Sequence, residues 1–367
     1  MPNFSVLLQI GRYPTYQVFL VAVVALGAAV VLFPLWIRLV RYRNIGQQVR
    51  ADGPQGHLVK QGTPTMGGVL IMLVVTVVYV AMGSMDRQSL LVLGAMLACA
   101  LLGFVDDYAK VVKERSLGLT ATAKIAWQVL ISLTVGLLAV NWAGVSAVVN
   151  LPLVGGAWNL GALSSTLMVG GFAIVVPWLY VLLVALMVVA ASNTVNLTDG
   201  LDGLAAGAGT FCFGVLSIIG YWQFRHFSIY RIHSALDLGL VAVALVGACL
   251  GFLWWNAAPA RIMMGDTGSL AIGTGLGALC LLMNLDLLLI VLGGLFVAET
   301  ASVILQVISF RLFGRRVFRM APFHHHFELR GWPETTVIIR FWIISGLCAV
   351  MGLGIFYGDF LKIAKVV

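Results

Sequence analysis

Residues 15–37 read TYQVFLVAVVALGAAVVLFPLWI, an apolar run without one charged side chain. A helix needs roughly 20 such residues to cross the hydrocarbon core of a bilayer. The run is longer than the apolar region of a secretory signal, and no small-residue cleavage site follows it. It is therefore expected to persist as a membrane helix. The pattern recurs at 67–84, 88–105, 121–142, 172–192, 204–221, 236–255, 269–284, 286–310 and 335–357, which makes ten expected spans. A membrane barrel is excluded, because its strands would be about ten residues long and alternate in polarity.

Composition agrees. Of 367 residues, 61% are hydrophobic and only 10% are charged. A soluble domain is about 25% charged. A mean hydropathy of +1.02 leaves too little polar surface for water. A soluble enzyme, a disordered chain and a fibrous repeat are excluded. The 41 glycines suit close helix packing in lipid. Cys99, Cys212, Cys249, Cys280 and Cys348 lie in apolar runs without CxxC spacing, and read as packing residues. The expected fold is an all-α, polytopic membrane protein: one catalytic domain over 1–367, with no internal repeat.

The net charge of +8 is a matter of placement. Fourteen of the 22 lysines and arginines fall in the loops 38–66, 106–120, 193–203, 256–268 and 311–334, against six in the opposite loops and termini. The richer side is cytoplasmic by the positive-inside rule. Ten spans then put both termini on the outer, periplasmic side. The charge reads as membrane orientation, and nucleic acid is not an expected partner. The stretch 143–171, with Pro152, Gly155, Gly156 and Gly161, is expected to form a short outer hairpin.

The cytoplasmic loops carry the chemistry. In Asp106-Asp107-Tyr108-Ala109-Lys110, followed by Lys113, a continuing helix sets Asp106, Lys110 and Lys113 on one face. A carboxylate there can accept a proton or bind metal while the lysines hold phosphate; a solvated helix end is the plainer alternative. Asn193, Asn196, Asp199 and Asp202 recur every third residue and make one polar surface. It suits a sugar, a base or Mg²⁺, whereas capping the next helix needs one residue rather than four. In Met263-Met264-Gly265-Asp266-Thr267-Gly268-Ser269 an aspartate sits at a helix start. Such a start attracts anions, and the carboxylate is a hard ligand of the kind Mg²⁺ prefers.

His324, His325 and His326, read as an extended segment, alternate sides, so that His324 and His326 share one. They suit phosphate or nucleotide contact better than zinc. Lys60, Thr63 and Thr65 precede Gly67-Gly68 without P-loop order, so they form either a turn or a phosphate contact. Glu299 lies within an expected span and is a functional candidate for that reason.

Together these strings resemble the polyprenyl-phosphate N-acetylhexosamine-1-phosphate transferases. Asp106-Asp107-Tyr108, Asn193 to Gly203 and Met264 to Ser269 match the superfamily pattern. Lys60 to Gly68 and Pro322 to Glu328 look like its muramoyl-pentapeptide branch. The resemblance runs from Lys60 to Glu334. It implies transfer of phospho-N-acetylmuramoyl-pentapeptide from a UDP-linked donor to undecaprenyl phosphate, with release of UMP and Mg²⁺ as cofactor. It implies catalytic roles for Asp106, Asp107, Asp266 and His324, and metal binding by Asp266 and Asp199. It implies substrate contacts at Lys60, Thr65, Lys110, Lys113, Asn193, Asn196, Asp199, Asp202, Met263, His325 and His326. The implied location is the inner membrane of a bacterium, with the site facing the cytoplasm. A homodimer is compatible with the family, but no sequence signal marks one. A sister enzyme using UDP-N-acetylglucosamine shares the aspartate strings but not the histidine string. A secondary transporter would place its polar groups at the bilayer midplane.

Overall fold

The computed structural model describes residues 13–43, 45–46, 60–113 and 117–365. Parts of the two loops 38–66 and 106–120 lie outside the described residues. In chain order the elements begin with α1 (Pro14–Tyr42), α2 (Gly67–Met82), α3 (Arg87–Val112) and α4 (Ala121–Asn141). Four short strands follow: β1 (Val148–Asn150), β2 (Ala157–Asn159), β3 (Ser164–Val169) and β4 (Phe172–Pro177). Then come α5 (Trp178–Thr198), α6 (Leu204–Arg225), α7 (Phe227–Tyr230), α8 (Ala235–Asn256) and α9 (Gly265–Leu282). The chain closes with α10 (Leu288–Leu292), α11 (Gly294–Phe313), α12 (Phe323–Glu328) and α13 (Glu334–Ile363).

Nine of these helices, among the described residues, are long and apolar enough to cross a membrane. Helices are what a bilayer demands, since each pairs its own N–H and C=O groups. The tenth expected span, α2, has 16 residues. At 1.5 Å per residue it is about 24 Å long. Its first turn is not left open: Gly67 N and Gly68 N donate to the carbonyls of Met263 and Met264, and Met263 N donates to Pro64 O.

The bundle has an inside and a rim. In the spans of α8 and α9, 78% and 89% of positions are buried, against 22% in α1 and α11. Small residues allow this. An added Cβ at Gly273 of α9 would lie 2.4 Å from Ala191 O on α5, and one at Gly277 would lie 3.1 Å from Ala191 Cβ. Two glycines four apart thus let two backbones close on each other.

Several helices run past their expected ends, α3 to Val112 and α13 to Ile363, and three further boundaries differ from expectation. Residues 172–177 form β4, not the start of a span; the helix begins at Trp178 and runs on to Thr198. The run Ile174-Val175-Val176 favours a strand, and Gly170 and Gly171, both at positive φ, make the tight turn that pairs it with β3. The stretch between α4 and α5 therefore holds two hairpins, β1–β2 and β3–β4. The expected span 286–310 is broken at Gly293-Gly294 into α10 and α11. Helix α9 starts four residues early, at Gly265, and this puts Asp266 on its first turn.

Candidate active site

Four helix ends meet at one point: the C-terminal ends of α3 and α5 and the N-terminal ends of α4 and α9. Backbones approach closely there. An added Cβ at Gly68 would lie 2.0 Å from Gly268 N, and one at Gly103 would lie 2.3 Å from Asp266 O. No side chain fits at either position, which is why Gly-Gly opens α2 and a glycine stands at 103 on α3.

Asp106, Asp107 and Asp266 each bring a carboxylate oxygen to within 4.8 Å of the others. Two ammonium groups join them. Lys110 Nζ lies 2.7 Å from Asp106 Oδ2, 3.1 Å from Asp266 Oδ2 and 3.7 Å from Asp107 Oδ1. Lys124 Nζ lies 2.6 Å from Asp266 Oδ2 and 3.2 Å from Asp106 Oδ2. Asn196 donates through Nδ2 to Asp266 Oδ1 (2.9 Å) and to Ser269 Oγ (2.8 Å). Asp106 Oδ1 also accepts from Leu119 N, which holds the loop before α4 against α3.

Asp107 has a different task. Its Oδ1 accepts from Asp266 N at 3.0 Å, and its Oδ2 accepts from Thr267 N at 3.0 Å and Thr267 Oγ1 at 2.8 Å. These N–H groups belong to the first turn of α9 and have no partner inside it. Asp107 therefore caps a helix more than 150 residues away in sequence, with its charge at the positive end of the dipole.

A second group lies beside the first. Lys60 Nζ sits 2.8 Å from Asp202 Oδ1 and 2.5 Å from Glu334 Oε1. Asp202 Oδ2 accepts from Ala260 N, and Asp202 N donates to Glu334. Burial pulls the Lys60 ammonium down, but the bonds to Asp202 and Glu334 outweigh it and hold the group above its ordinary range. Asp199 lies in the field of both groups. Burial, then the charges of Asp266, Asp107 and Asp202, push its carboxyl well above the usual carboxylate range, with Lys60 opposing.

The histidines form a third group, and here expectation is corrected. Residues 323–328 are a helical turn, α12, not an extended segment, so His324 and His326 do not share a side. His324 is fully buried and Nδ1 lies 3.2 Å from Glu299 Oε2 of α11. Its Nε2 faces Gly200, where a Cβ would come within 2.5 Å. His325 Nδ1 pairs with Glu328 at 2.7 Å. His326 Nδ1 accepts from Arg319 N, and its ring stacks on Phe323. Burial, with Arg330 and Arg319 nearby, lowers its pKa.

Of the other expected residues, Thr65 is buried, with Oγ1 beside Gly265 and Asp107. Met263 borders the site through its backbone. Asn193 bonds Gln128 on α4 rather than a carboxylate. Lys113 is exposed and does not join Lys110, because α3 ends at Val112. Lys124, Gln128 and Glu334 stand outside the sequence motifs yet border the site. Lys124 carried a signal nonetheless, since a lysine within a span is a functional candidate by default.

This is a polytopic membrane protein with a carboxylate–lysine site at helix ends, and the comparisons define its class. Residues 89–284 match the Glycosyl transferase family 4 profile, and residues 60–72 match phospho-N-acetylmuramoyl-pentapeptide-transferase signature 1. The phospho-N-acetylmuramoyl-pentapeptide-transferase of Frankia casuarinae is 47% identical over 359 residues, which cover 94% of this chain and 98% of that protein. Its namesake in Streptomyces avermitilis is 46% identical over 362 residues, covering 93% and 97%. The one in Corynebacterium diphtheriae is 43% identical over 370 residues, covering 95% and 100%. The chain belongs to the phospho-N-acetylmuramoyl-pentapeptide-transferase family.

Proposed function

We propose that the chain transfers phospho-N-acetylmuramoyl-pentapeptide from its UDP-linked donor to undecaprenyl phosphate in the inner membrane of a bacterium, with the site on the cytoplasmic face. UMP is released and the lipid-linked pyrophosphoryl product remains in the bilayer. The observation that carries this reading is the gathering of Asp106, Asp107, Asp266, Lys110 and Lys124 where four helices end.

An oxygen of the acceptor phosphate attacks the β-phosphorus of the donor. The bond from that phosphorus to the bridging oxygen breaks, and UMP leaves with the electron pair. A phosphate monoester already carries about −1.5 to −2 charge at neutral pH. The acceptor therefore needs alignment and charge compensation more than a strong base. Lys110 and Lys124 supply that compensation. Their ammonium groups lie on carboxylate oxygens, and flexible stems let them exchange onto phosphate oxygens. Asp106, pinned by Leu119 N, fixes where both ammoniums start and takes up a residual acceptor proton. Asp107 holds the first turn of α9, and with it Asp266, in place.

The donor set fits Mg²⁺. Three carboxylates lie within reach of one ion against two ammoniums, and Asp199 lies in their field. Mg²⁺ favours one or two carboxylates completed by substrate phosphates. The oxygens of Asp107 are already taken by backbone N–H groups, so Asp266 and Asp106 would hold the ion, with Asp199 beside them. Bound there, Mg²⁺ would offset the charge of the donor pyrophosphate.

The test is UMP release by the purified protein with undecaprenyl phosphate and two donors side by side. Turnover is expected with UDP-N-acetylmuramoyl-pentapeptide, is lost with a chelator and returns with Mg²⁺. Folded protein that turns over neither donor, or prefers UDP-N-acetylglucosamine, refutes the assignment.

A further inference from the structure

The C-terminal half of α11 and the loop after it border a half-open cavity of about 690 Å³, and none of the carboxylates and lysines gathered at the candidate site lines it. Arg311, Arg316 and Arg319 line it, over a floor that includes Val303, Val307 and Phe310. We propose that this cavity binds the phosphate headgroup of an anionic bilayer lipid.

Three observations converge. The first is charge: three guanidinium groups line the cavity and no carboxylate does, and among the described residues none of the three pairs with a carboxylate. Guanidinium matches phosphate oxygens in pairs.

The second is construction. The loop is folded back on α11 by side chains. Gln306 Nε2 donates to Phe318 O, and Val317 N and Phe318 N donate to Gln306 Oε1. Ser309 Oγ donates to Arg315 O, and Arg319 Nη1 donates to Leu329 O. The arginines are thus set around the cavity by a built loop. A helix C-terminus alone repels anions, so the arginine cluster must override that field.

The third is depth. The cavity sits at the end of a spanning helix whose flank stays apolar: Phe310 is 55% exposed, Leu312 70%, Phe313 71% and Val317 56%. Acyl chains cover that flank while the headgroup reaches the arginines. A water-borne anion would need the guanidiniums but not this flank.

The experiment is native mass spectrometry of the full-length protein after exposure to equal phosphatidylglycerol and phosphatidylcholine. A basic residue near a lipid surface contributes on the order of a fivefold preference. The wild type should therefore retain phosphatidylglycerol by about tenfold or more. The pair Arg311→Gln and Arg316→Gln should bring retention close to parity. It leaves the Gln306 and Arg319 bonds intact, so thermal unfolding should be unchanged. Arg316→Gln alone, at an exposed position beyond the helix, gives a partial loss if the pair fails to fold. Equal retention by wild type and variant overturns the proposal. So does full displacement of the lipid by inorganic phosphate, which would mark a site for soluble anions.

Discussion

Carboxylates are buried at both ends of the bundle, but different donors hold them. At the site end, Asp106 and Asp266 share the ammonium groups of Lys110 and Lys124. At the other end of α8, roughly 30 Å away by helix length, Asp237 accepts from Ser84 N and Ser84 Oγ at 2.6 Å and from Tyr79 OH at 3.2 Å. Beside it Asp86 caps α3 by accepting from Gln88 N, Ser89 N and Ser89 Oγ. Neutral donors, backbone N–H groups and hydroxyls, make a permanent joint. Ammonium groups on flexible stems make one that an incoming phosphate can take over. Asp237 and Asp86 thus serve as fastenings, as Asp107 does at the site end, whereas Asp106 and Asp266 are held by groups that can be taken over.

That contrast can be broken by substitution. Asp266→Asn should cost the most, on the order of 10³-fold in kcat with little change in unfolding temperature, because it removes the carboxylate that positions both ammonium groups and would hold Mg²⁺. Next, Lys124→Met should lower kcat about 10²-fold. Lys124→Arg should rescue little, since the planar fork cannot replace a point charge held 2.6 Å from Asp266; full activity in either variant would remove Lys124 from the site.

At the far end, Asp237→Asn should leave kcat of the folded protein unchanged and lower stability by about 1–3 kcal/mol, read from denaturant midpoints. A loss of kcat comparable to that of Asp266→Asn would erase the distinction between the two ends. Asp199 tests the electrostatics between the groups. Its carboxyl is raised, so the folded state holds a proton that the unfolded chain releases near pH 4. Stability from this group is present below pH 4 and falls as pH rises toward the raised value. Asp199→Asn should flatten that decline in unfolding temperature. Smallest of all, Asp86→Ala should cost about 1 kcal/mol as a lost helix cap, with no effect on turnover.

The spans were legible because each fills a long window with apolar residues, a signal that needs no partner. Where a boundary depended on geometry rather than hydropathy, as at Phe172–Pro177 and Gly293-Gly294, the apolar run continued across it and concealed it. The site was legible in the same uneven way. Asp106, Lys110, Asn196 and Asp266 stand in short strings that converge as expected. The cap on α9 could not be read, because Asp107 serves a helix that begins 158 residues later and no local spacing records it. The tie from Lys60 to Glu334 spans 274 residues and is hidden for the same reason. The histidine string was visible as chemistry but not as conformation, since three identical residues carry no periodicity.

The cap that Asp107 places on α9 also dates the site within the life of the chain. A helix leaves the polar groups of its end turns to be satisfied from outside it. Here the end of α3 and the start of α9 complete each other, so neither is finished until residue 267 has been made. Until then Asp106 and Asp107 wait beside Lys110 as a half-assembled pair at the membrane surface. Catalytic competence is therefore a late event of synthesis, reached only once about three-quarters of the chain has been inserted.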